Sequence, residues 1–144
     1  MSKQSFTLIE LLLTISLVFI IAGSSTAFYS RFLIQNSVLS IQEHIEGNLH
    51  KAQMYSITGK RASSWGVYLA PQIITLFRGN SYAERDINFD ETYSYPQSVS
   101  ITGVTAVMYS RVSGLPSSSG IITISGPGSS KSLEINSQGV VTKN

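Results

Sequence analysis

The N-terminal part of the chain contains a long, mostly apolar segment with a single charged side chain. From Phe6 to Phe28 every residue is uncharged except Glu10. A helix of about 20 such residues crosses the hydrocarbon core of a bilayer. Lys3 precedes the segment, which favours a cytoplasmic N-terminus. The sequence therefore predicts a transmembrane helix over residues 6–28.

The composition fits a chain that is partly hidden from water. Charged residues make up 12% of the 144 residues, against about 25% in ordinary soluble proteins. The length suits one domain. No cysteine is present, which excludes disulfides and cysteine-based zinc sites.

Glu10 requires an explanation, because a carboxylate at membrane depth costs about 3 kcal/mol. In one interpretation Glu10 lies near the end of the span and reaches the interface. In the other it meets a cation of another chain, which would favour its ionised form. Residue types alone leave both interpretations open.

The sequence around Glu10 resembles a known processing site. The segment from Ser5 to Leu12 is Ser-Phe-Thr-Leu-Ile-Glu-Leu-Leu, and it is similar to the processing site of type IV prepilins and type II secretion pseudopilins. The resemblance implies that residues 1–5 are a leader, removed between Ser5 and Phe6 by a prepilin peptidase that also methylates Phe6. It implies that Glu10 pairs with the N-terminal amine of a neighbouring subunit. Ser5 stands where this family nearly always has Gly.

Two other interpretations of the N-terminus are an ordinary secretory signal peptide and an uncleaved single-span anchor. A signal peptide would have its apolar region at Leu8–Ala22 and small residues for cleavage up to Ala27. Neither alternative accounts for Glu10 within the apolar run, or for the helical pattern that follows it.

The helical pattern continues beyond the apolar segment. An apolar stripe recurs every three or four residues and comprises Ile34, Val38, Ile41, Ile45, Leu49 and Ala52. Polar residues, Gln42 among them, fill the other faces. We predict one helix over residues 6–57, with 29–57 amphipathic and Thr58–Gly59 as the stop signal.

Weak helix formers interrupt this pattern at Gly23, Ser24, Ser25 and Thr26. They either end the membrane span or form a soft point in a longer helix. The family resemblance implies that such a patch can melt and extend in an assembled filament.

Residues 58–144 have the pattern of short strands separated by turns. The predicted strands are 65–69, 73–77, 99–102, 106–111, 121–125, 133–136 and 139–142. We expect an antiparallel sheet in two packed pieces. The predicted fold class is α+β. The resemblance to pilins implies that a long transmembrane and amphipathic helix packs on an antiparallel β head, the lollipop of that family.

The β region also resembles minor pilins and pseudopilin H of type II secretion. The segments that carry this resemblance are 62–69, 79–86, 89–90, 113–116, 119–124 and 135–141. Many major pilins have a C-terminal disulfide loop, which a chain without cysteine cannot form. This favours a pseudopilin, a minor pilin or a pilin of another lineage.

No pattern of an enzyme or a cofactor site is present in the sequence. His44 and His50 are six residues apart and point to different helix faces, and no serine lies in a Gly-x-Ser-x-Gly elbow. Asp86, Asp90 and Glu91 lack a known calcium-loop spacing, so a solvated turn is expected. The β region has no basic run that would indicate a nucleic-acid partner.

The sequence thus predicts a structural subunit of a type IV pilus or pseudopilus. It would be anchored in the inner (cytoplasmic) membrane and then assembled, with other pilin-like subunits, into a periplasmic or surface filament. Its partners would be those subunits, membrane lipid and the peptidase that methylates it. The alternative is a membrane-anchored monomeric β-domain binding protein that does not polymerise.

Overall fold

The computed structural model describes residues 7–144, and for residues 24–28, 30 and 31 it describes the backbone alone. Helix α1 spans Leu8–Ile57. The strands are β1 (Trp65–Ala70), β2 (Ile73–Arg78), β3 (Glu91–Ser94), β4 (Ser100–Gly103), β5 (Ala106–Tyr109), β6 (Gly120–Gly126), β7 (Ser129–Ile135) and β8 (Val141–Lys143). A tight turn with left-handed φ angles at Arg61 and Ala62 occupies Lys60–Ala62, and a short 3₁₀ helix occupies Ile87–Phe89. The chain divides into two compact units, one ending at Leu33 and one running from Ile34 to Asn144.

The strands form two antiparallel sheets of four strands each. Sheet A has the order β3-β2-β1-β5, and sheet B has the order β4-β6-β7-β8. This confirms the predicted α+β class with an antiparallel sheet in two pieces. The division into a leader, a helix and a β head stays a prediction, since the unit that contains both sheets begins within α1.

The hairpin turns follow from local residue types. Pro127 and Gly128 join β6 to β7, and Gly128 adopts φ +77°, as expected for a turn with Pro and then Gly at its centre. At the turn before β8, the Asn136 side chain accepts hydrogen bonds from the backbone N–H groups of Gln138 and Val140, each at 2.9 Å. This side chain replaces backbone partners that the turn cannot supply.

The core of the second unit lies between one helical stripe and the inner faces of both sheets. Val38, Ile41, Ile45, Leu49 and Ala52 are buried as predicted, and Ile34 is half-buried at the end of the stripe. Both sheets contribute to the same cluster, through Trp65, Val67, Leu69, Ile74, Leu76, Val107, Tyr109, Ile122, Ile124, Leu133 and Ile135. The period of the apolar residues therefore identified the buried face of the helix.

Gln42 departs from the prediction. It was expected on a polar face, yet it is only 4% exposed. Its Nε2 donates a hydrogen bond of 3.0 Å to the backbone oxygen of Ser132 on β7. Because the amide has this partner, its burial avoids most of the desolvation penalty that an unpaired group would carry.

Helix α1 ends at Ile57, the residue that the sequence predicted. Gly59 follows in the left-handed region with φ +62°, where glycine meets no steric penalty. Ser56 lies buried in the last turn, and its Oγ accepts a hydrogen bond of 2.9 Å from the backbone N–H of Trp65. The helix end is thereby fixed to the start of β1.

Strand β3 was missed by the sequence analysis, and other strand limits shifted. Residues Glu91–Ser94 carry no apolar alternation, but they pair with β2 at the edge of sheet A. The ring of Tyr93 stacks on His44 of α1 with 3.8 Å between ring centroids. Strand β5 ends two residues earlier than predicted, before the turn in which Val112 adopts φ +72°.

Two leucines on α1 test how far the buried stripe stabilises the fold. Leu49 is 1% exposed and Leu39 is 43% exposed. We expect Leu49→Ala to lower the free energy of unfolding by about 3 kcal/mol through the cavity that it leaves. Leu39→Ala should change it by less than about 1 kcal/mol. Urea unfolding of the detergent-solubilised chain, followed by the fluorescence of Trp65, measures both, and equal losses would contradict this description of the core.

Tyr109 makes stability depend on alkaline pH. It is fully buried, and its hydroxyl has no hydrogen-bond partner among the described residues. Burial raises the pKa of Tyr109 to about 12, so the fold favours the neutral phenol. That stabilisation is complete below the unfolded pKa of about 10 and is lost as the pH rises through about 12.

We therefore expect Tyr109→Phe to keep more of its stability than the parent between pH 10 and 12, by at most about 2.7 kcal/mol. The measurement is urea unfolding at several pH values. Because both proteins share every other ionisable group, the difference between the two curves carries the result. Parallel curves would show that Tyr109 does not couple folding to pH.

Candidate assembly site

The first part of helix α1 is apolar on every face and exposed. Each described side chain from Thr7 to Gly23 is exposed. The large apolar ones are Leu8, Ile9, Leu11, Leu12, Leu13, Ile15, Leu17, Val18, Phe19, Ile20 and Ile21, and each exposes at least 45% of its surface. A helix that is hydrophobic all round is normally buried. This surface therefore requires a cover that the described chain does not provide for it.

The polar groups of this segment are few, and the helix itself satisfies most of them. The hydroxyl of Thr14 donates to the backbone oxygen of Leu11 at 2.9 Å, and that of Ser16 donates to Leu12 at 2.8 Å. Hydroxyls bonded in this way can enter an apolar environment at little cost. The carboxylate of Glu10 is the one ionisable side chain in residues 8–23.

Glu10 also belongs to the start of the helix. Thr7 directly precedes α1, and its Oγ1 accepts a long hydrogen bond of 3.4 Å from the backbone N–H of Glu10. Thr7-Leu8-Ile9-Glu10 has the spacing of a capping box, and a negative charge in the first turn favours the helix dipole. The sequence analysis overlooked this signature, although the four residues can be read from the chain.

The predicted processing residues Ser5 and Phe6 lie outside the described residues. Glu10 lies in the first turn of α1. The helix continues through Gly23, Ser24, Ser25 and Thr26, and a Cβ added at Gly23 would meet no atom within 4 Å. Melting of this patch stays a prediction.

Among the described residues, no helix combines the length and the apolar character needed to cross a membrane. The predicted span, residues 6–28, includes Phe6 and the side chains from Ser24 to Phe28, which lie outside that part of the chain.

The acidic residues that the sequence singled out in the β region are each paired with a cation. Asp86 contacts Arg78 at 3.4 Å, Asp90 contacts Arg85 at 2.8 Å, and Glu91 pairs with Lys51. These hydrogen bonds raise the pKa of Arg85 and that of Lys51. The three carboxylates therefore belong to three separate ion pairs, and in residues 7–144 they form no shared metal site.

Comparison with known proteins bears on the fold. The sequence matches no protein-family model and no curated protein sequence. The structure is similar to that of the minor pseudopilin EpsH from the type 2 secretion system of Vibrio cholerae, with a TM-score of 0.53 and 11% identity. The match covers 77% of this chain and 95% of that chain. The chain therefore has a pseudopilin-like fold, which confirms the resemblance to pseudopilin H at the level of the fold.

The capping interaction of Thr7 has a direct test. We expect Thr7→Ala to weaken the first turn by about 1 kcal/mol. Amide hydrogen exchange at Glu10 should then be faster by about fivefold. Nuclear magnetic resonance of the chain in detergent micelles measures this exchange. Thr7→Ser keeps the hydroxyl and should exchange at the parental rate, and equal exchange in the alanine variant would show that Thr7 does not cap the helix.

Proposed function

We propose that this chain is a subunit of a pilin-like filament, either a pilus or a secretion pseudopilus. The observation that carries the proposal is the surface of residues 8–23, which is apolar all round, exposed, and marked by one carboxylate. Lipid can cover such a surface before assembly. Neighbouring copies of the same helix can cover it afterwards, because apolar helices pack well on one another without water.

In this proposal residues 6–28 anchor the subunit in the inner membrane before assembly. A prepilin peptidase removes residues 1–5, and the new N-terminal amine of Phe6 is methylated. That amine, on a neighbouring subunit, meets the carboxylate of Glu10 within the filament. Because both charges would leave water together, each reduces the penalty for burying the other.

This pairing would fix the axial register of the subunits. The other contacts of residues 8–23 are apolar and have little directional preference. The ion pair is directional by comparison, and one misplaced turn of the helix would leave a charge unpaired in an apolar environment. The pseudopilin-like fold supports the proposal, since EpsH is named as a component of a secretion system.

Glu10→Gln separates the two roles of this residue. Glutamine keeps the capping-box pattern with Thr7 but cannot pair with an amine as an anion. We expect normal membrane insertion and a loss of assembled filament on the order of 100-fold, because breaking a buried ion pair costs about 3 kcal/mol. Filament yield is measured by shearing cells, sedimenting the released material and quantifying the subunit. Glu134→Gln, on an exposed strand position, is the matched control.

A normal filament yield from Glu10→Gln would remove Glu10 from the assembly mechanism. Absence of sedimenting material from the parent chain would instead favour the anchored monomer. The intact mass of the chain from its membrane tests processing in the same preparation. A methylated start at Phe6 is the expected result, and a start between Gly23 and Phe28 would mean ordinary secretion.

A further inference from the structure

The unit from Ile34 to Asn144 has an uneven distribution of unpaired charges. Four ion pairs join Lys51 to Glu91, Arg78 to Asp86, Arg85 to Asp90 and Lys143 to Glu46. Within this unit the cations without an acidic partner are Lys60, Arg61, Arg111 and Lys131, and the side-chain carboxylates without a cation are Glu43, Glu84 and Glu134.

Three of those cations lie on two backbone segments that meet at Ala62, just beyond the end of α1. We call Lys60, Arg61 and Arg111 the cationic cluster. Lys60 Nζ lies 3.4 Å from the centroid of the Tyr55 ring, and Arg111 Nη1 donates a hydrogen bond of 3.2 Å to the backbone oxygen of Ala62. The three side chains are exposed. Because these residues come from two separate segments, no sequence pattern predicted the cluster.

The turn that carries the cluster is fixed by its surroundings. Arg61 and Ala62 adopt left-handed φ angles of 59° and 53°, which side chains other than glycine rarely adopt. The backbone oxygen of Lys60 accepts a hydrogen bond of 3.1 Å from Trp65 Nε1, and that of Arg61 accepts one of 3.4 Å from Arg78 Nη2. The surrounding side chains hold these carbonyl groups, so the cationic cluster sits on a defined surface.

Two exposed apolar side chains lie at the same end of the helix. Val112 is 71% exposed and Ile57 is 50% exposed. The backbone N–H of Val112 donates to the backbone oxygen of Ser56 at 3.0 Å. Gly114 lies so close to Ile57 that a Cβ would overlap it. This end of the unit therefore combines fixed positive charge with uncovered apolar surface.

The complementary combination occurs on the exposed face of α1. Leu39 and Glu43 are four residues apart and therefore share one face, as does Gly47 one turn further on. Leu39 is 43% exposed. Glu43 is exposed and forms no direct ion pair within this unit, although Lys143, which is bonded to Glu46, also attracts it. A Cβ at Gly47 would meet no atom within 4 Å, so a partner can approach the helix closely. We call Leu39, Glu43 and Gly47 the acidic helix face.

We propose that the cationic cluster of one copy docks on the acidic helix face of the next copy in the filament. This inference rests on the proposed function. The two surfaces differ, so the contact is heterologous. Such a contact continues from copy to copy as a helical filament when its rotation does not close a ring. Opposite charges set the register of such a contact, while Val112 and Ile57 supply apolar area for Leu39.

The position of Glu43 on α1 determines the axial offset between neighbouring copies in this contact. Glu43 precedes the helix end at Ile57 by about 21 Å at 1.5 Å per residue. Copies with parallel helices would therefore be offset along the helix by roughly that distance.

Charge balance favours a second copy over a nucleic acid as the occupant. The unpaired cations and carboxylates of this unit nearly cancel, whereas binding to phosphates requires several cations without competing acids. Glu134 is less suitable than Glu43, because it alternates on β7 with the buried Leu133 and Ile135. Glu134 therefore faces away from the core. It lies on the face of sheet B opposite to α1, whereas the proposed contact uses α1.

The absence of cysteine from the sequence permits a direct test by cross-linking. The full-length chain would carry Glu43→Cys and Arg61→Cys together, and oxidation would be applied to assembled filaments on cells. A disulfide requires Cα atoms within about 7 Å, and the two positions are too far apart in one copy. We expect a ladder of covalent multimers from the double variant and no more than dimers from either single variant. The matched control pairs Arg61→Cys with Glu134→Cys and should give no ladder.

Charge reversal gives a second measurement on the same contact. Arg61→Glu and Glu43→Arg should each lower the yield of sheared filament by about fivefold or more, as expected for an ion pair of about 1 kcal/mol. The two together should restore it. Filaments that form without a Glu43–Arg61 ladder would overturn this contact and leave the proposed function standing, whereas absence of any filament from the parent would overturn both. A third outcome would assign the cluster to a polyanion instead. In that outcome the parent chain retards DNA in a gel, the double variant Arg61→Glu with Arg111→Glu does not, and no ladder of multimers forms.

Discussion

The burial of one helical stripe organises the unit that contains both sheets. A single cluster joins side chains of sheet A and sheet B to four residues of this stripe, Val38, Ile41, Ile45 and Leu49. Both sheets therefore pack against the same helix. Complete burial of each such side chain contributes about 1.5–3 kcal/mol, so the loss of one removes a large fraction of the net stability of an ordinary domain, about 5–15 kcal/mol. Gln42 shows how strict this requirement is. Its amide enters the same region with a hydrogen bond to β7.

Helix α1 satisfies two different requirements with one backbone geometry. Its residues from Ile34 onward are amphipathic, and the chain's own sheets cover the apolar stripe. Its residues from Leu8 to Gly23 are apolar in every direction, and their hydroxyls bond back to the helix. An apolar stripe can be covered by one partner surface. A helix that is apolar on every face needs an apolar environment on all sides. In the proposed filament the apolar part serves assembly alone, whereas the amphipathic part folds the subunit with one face and can contact a neighbour with another.

The sequence predicted those features that depend on periodicity and turn chemistry. Apolar spacing and glycine positions determine some features locally, so these could be predicted: the buried stripe of α1, the end of the helix at Ile57 and most strands. Strand β3 was not, because its pairing with β2 and the stacking of Tyr93 on His44 compensate for a sequence without alternation. The cationic cluster was missed for a related reason, since Arg111 reaches the backbone of Ala62 only through the path of sheet A. At the N-terminus the family motif singled out Glu10, while its capping role with Thr7 was visible in the same four residues.

The connections between the sheets have a consequence for how the chain acquires its structure. Strand β4 belongs to sheet B, but it precedes β5, which completes sheet A beside β1. Neither sheet can therefore be finished from a continuous stretch of chain before the other has begun. The pairing of Trp65 with Tyr109 closes a long loop, and such non-local contacts slow folding. The two sheets should accordingly form late and in one cooperative step, once the chain has been synthesised as far as β8. An incomplete chain would expose unpaired strand edges that require protection from aggregation.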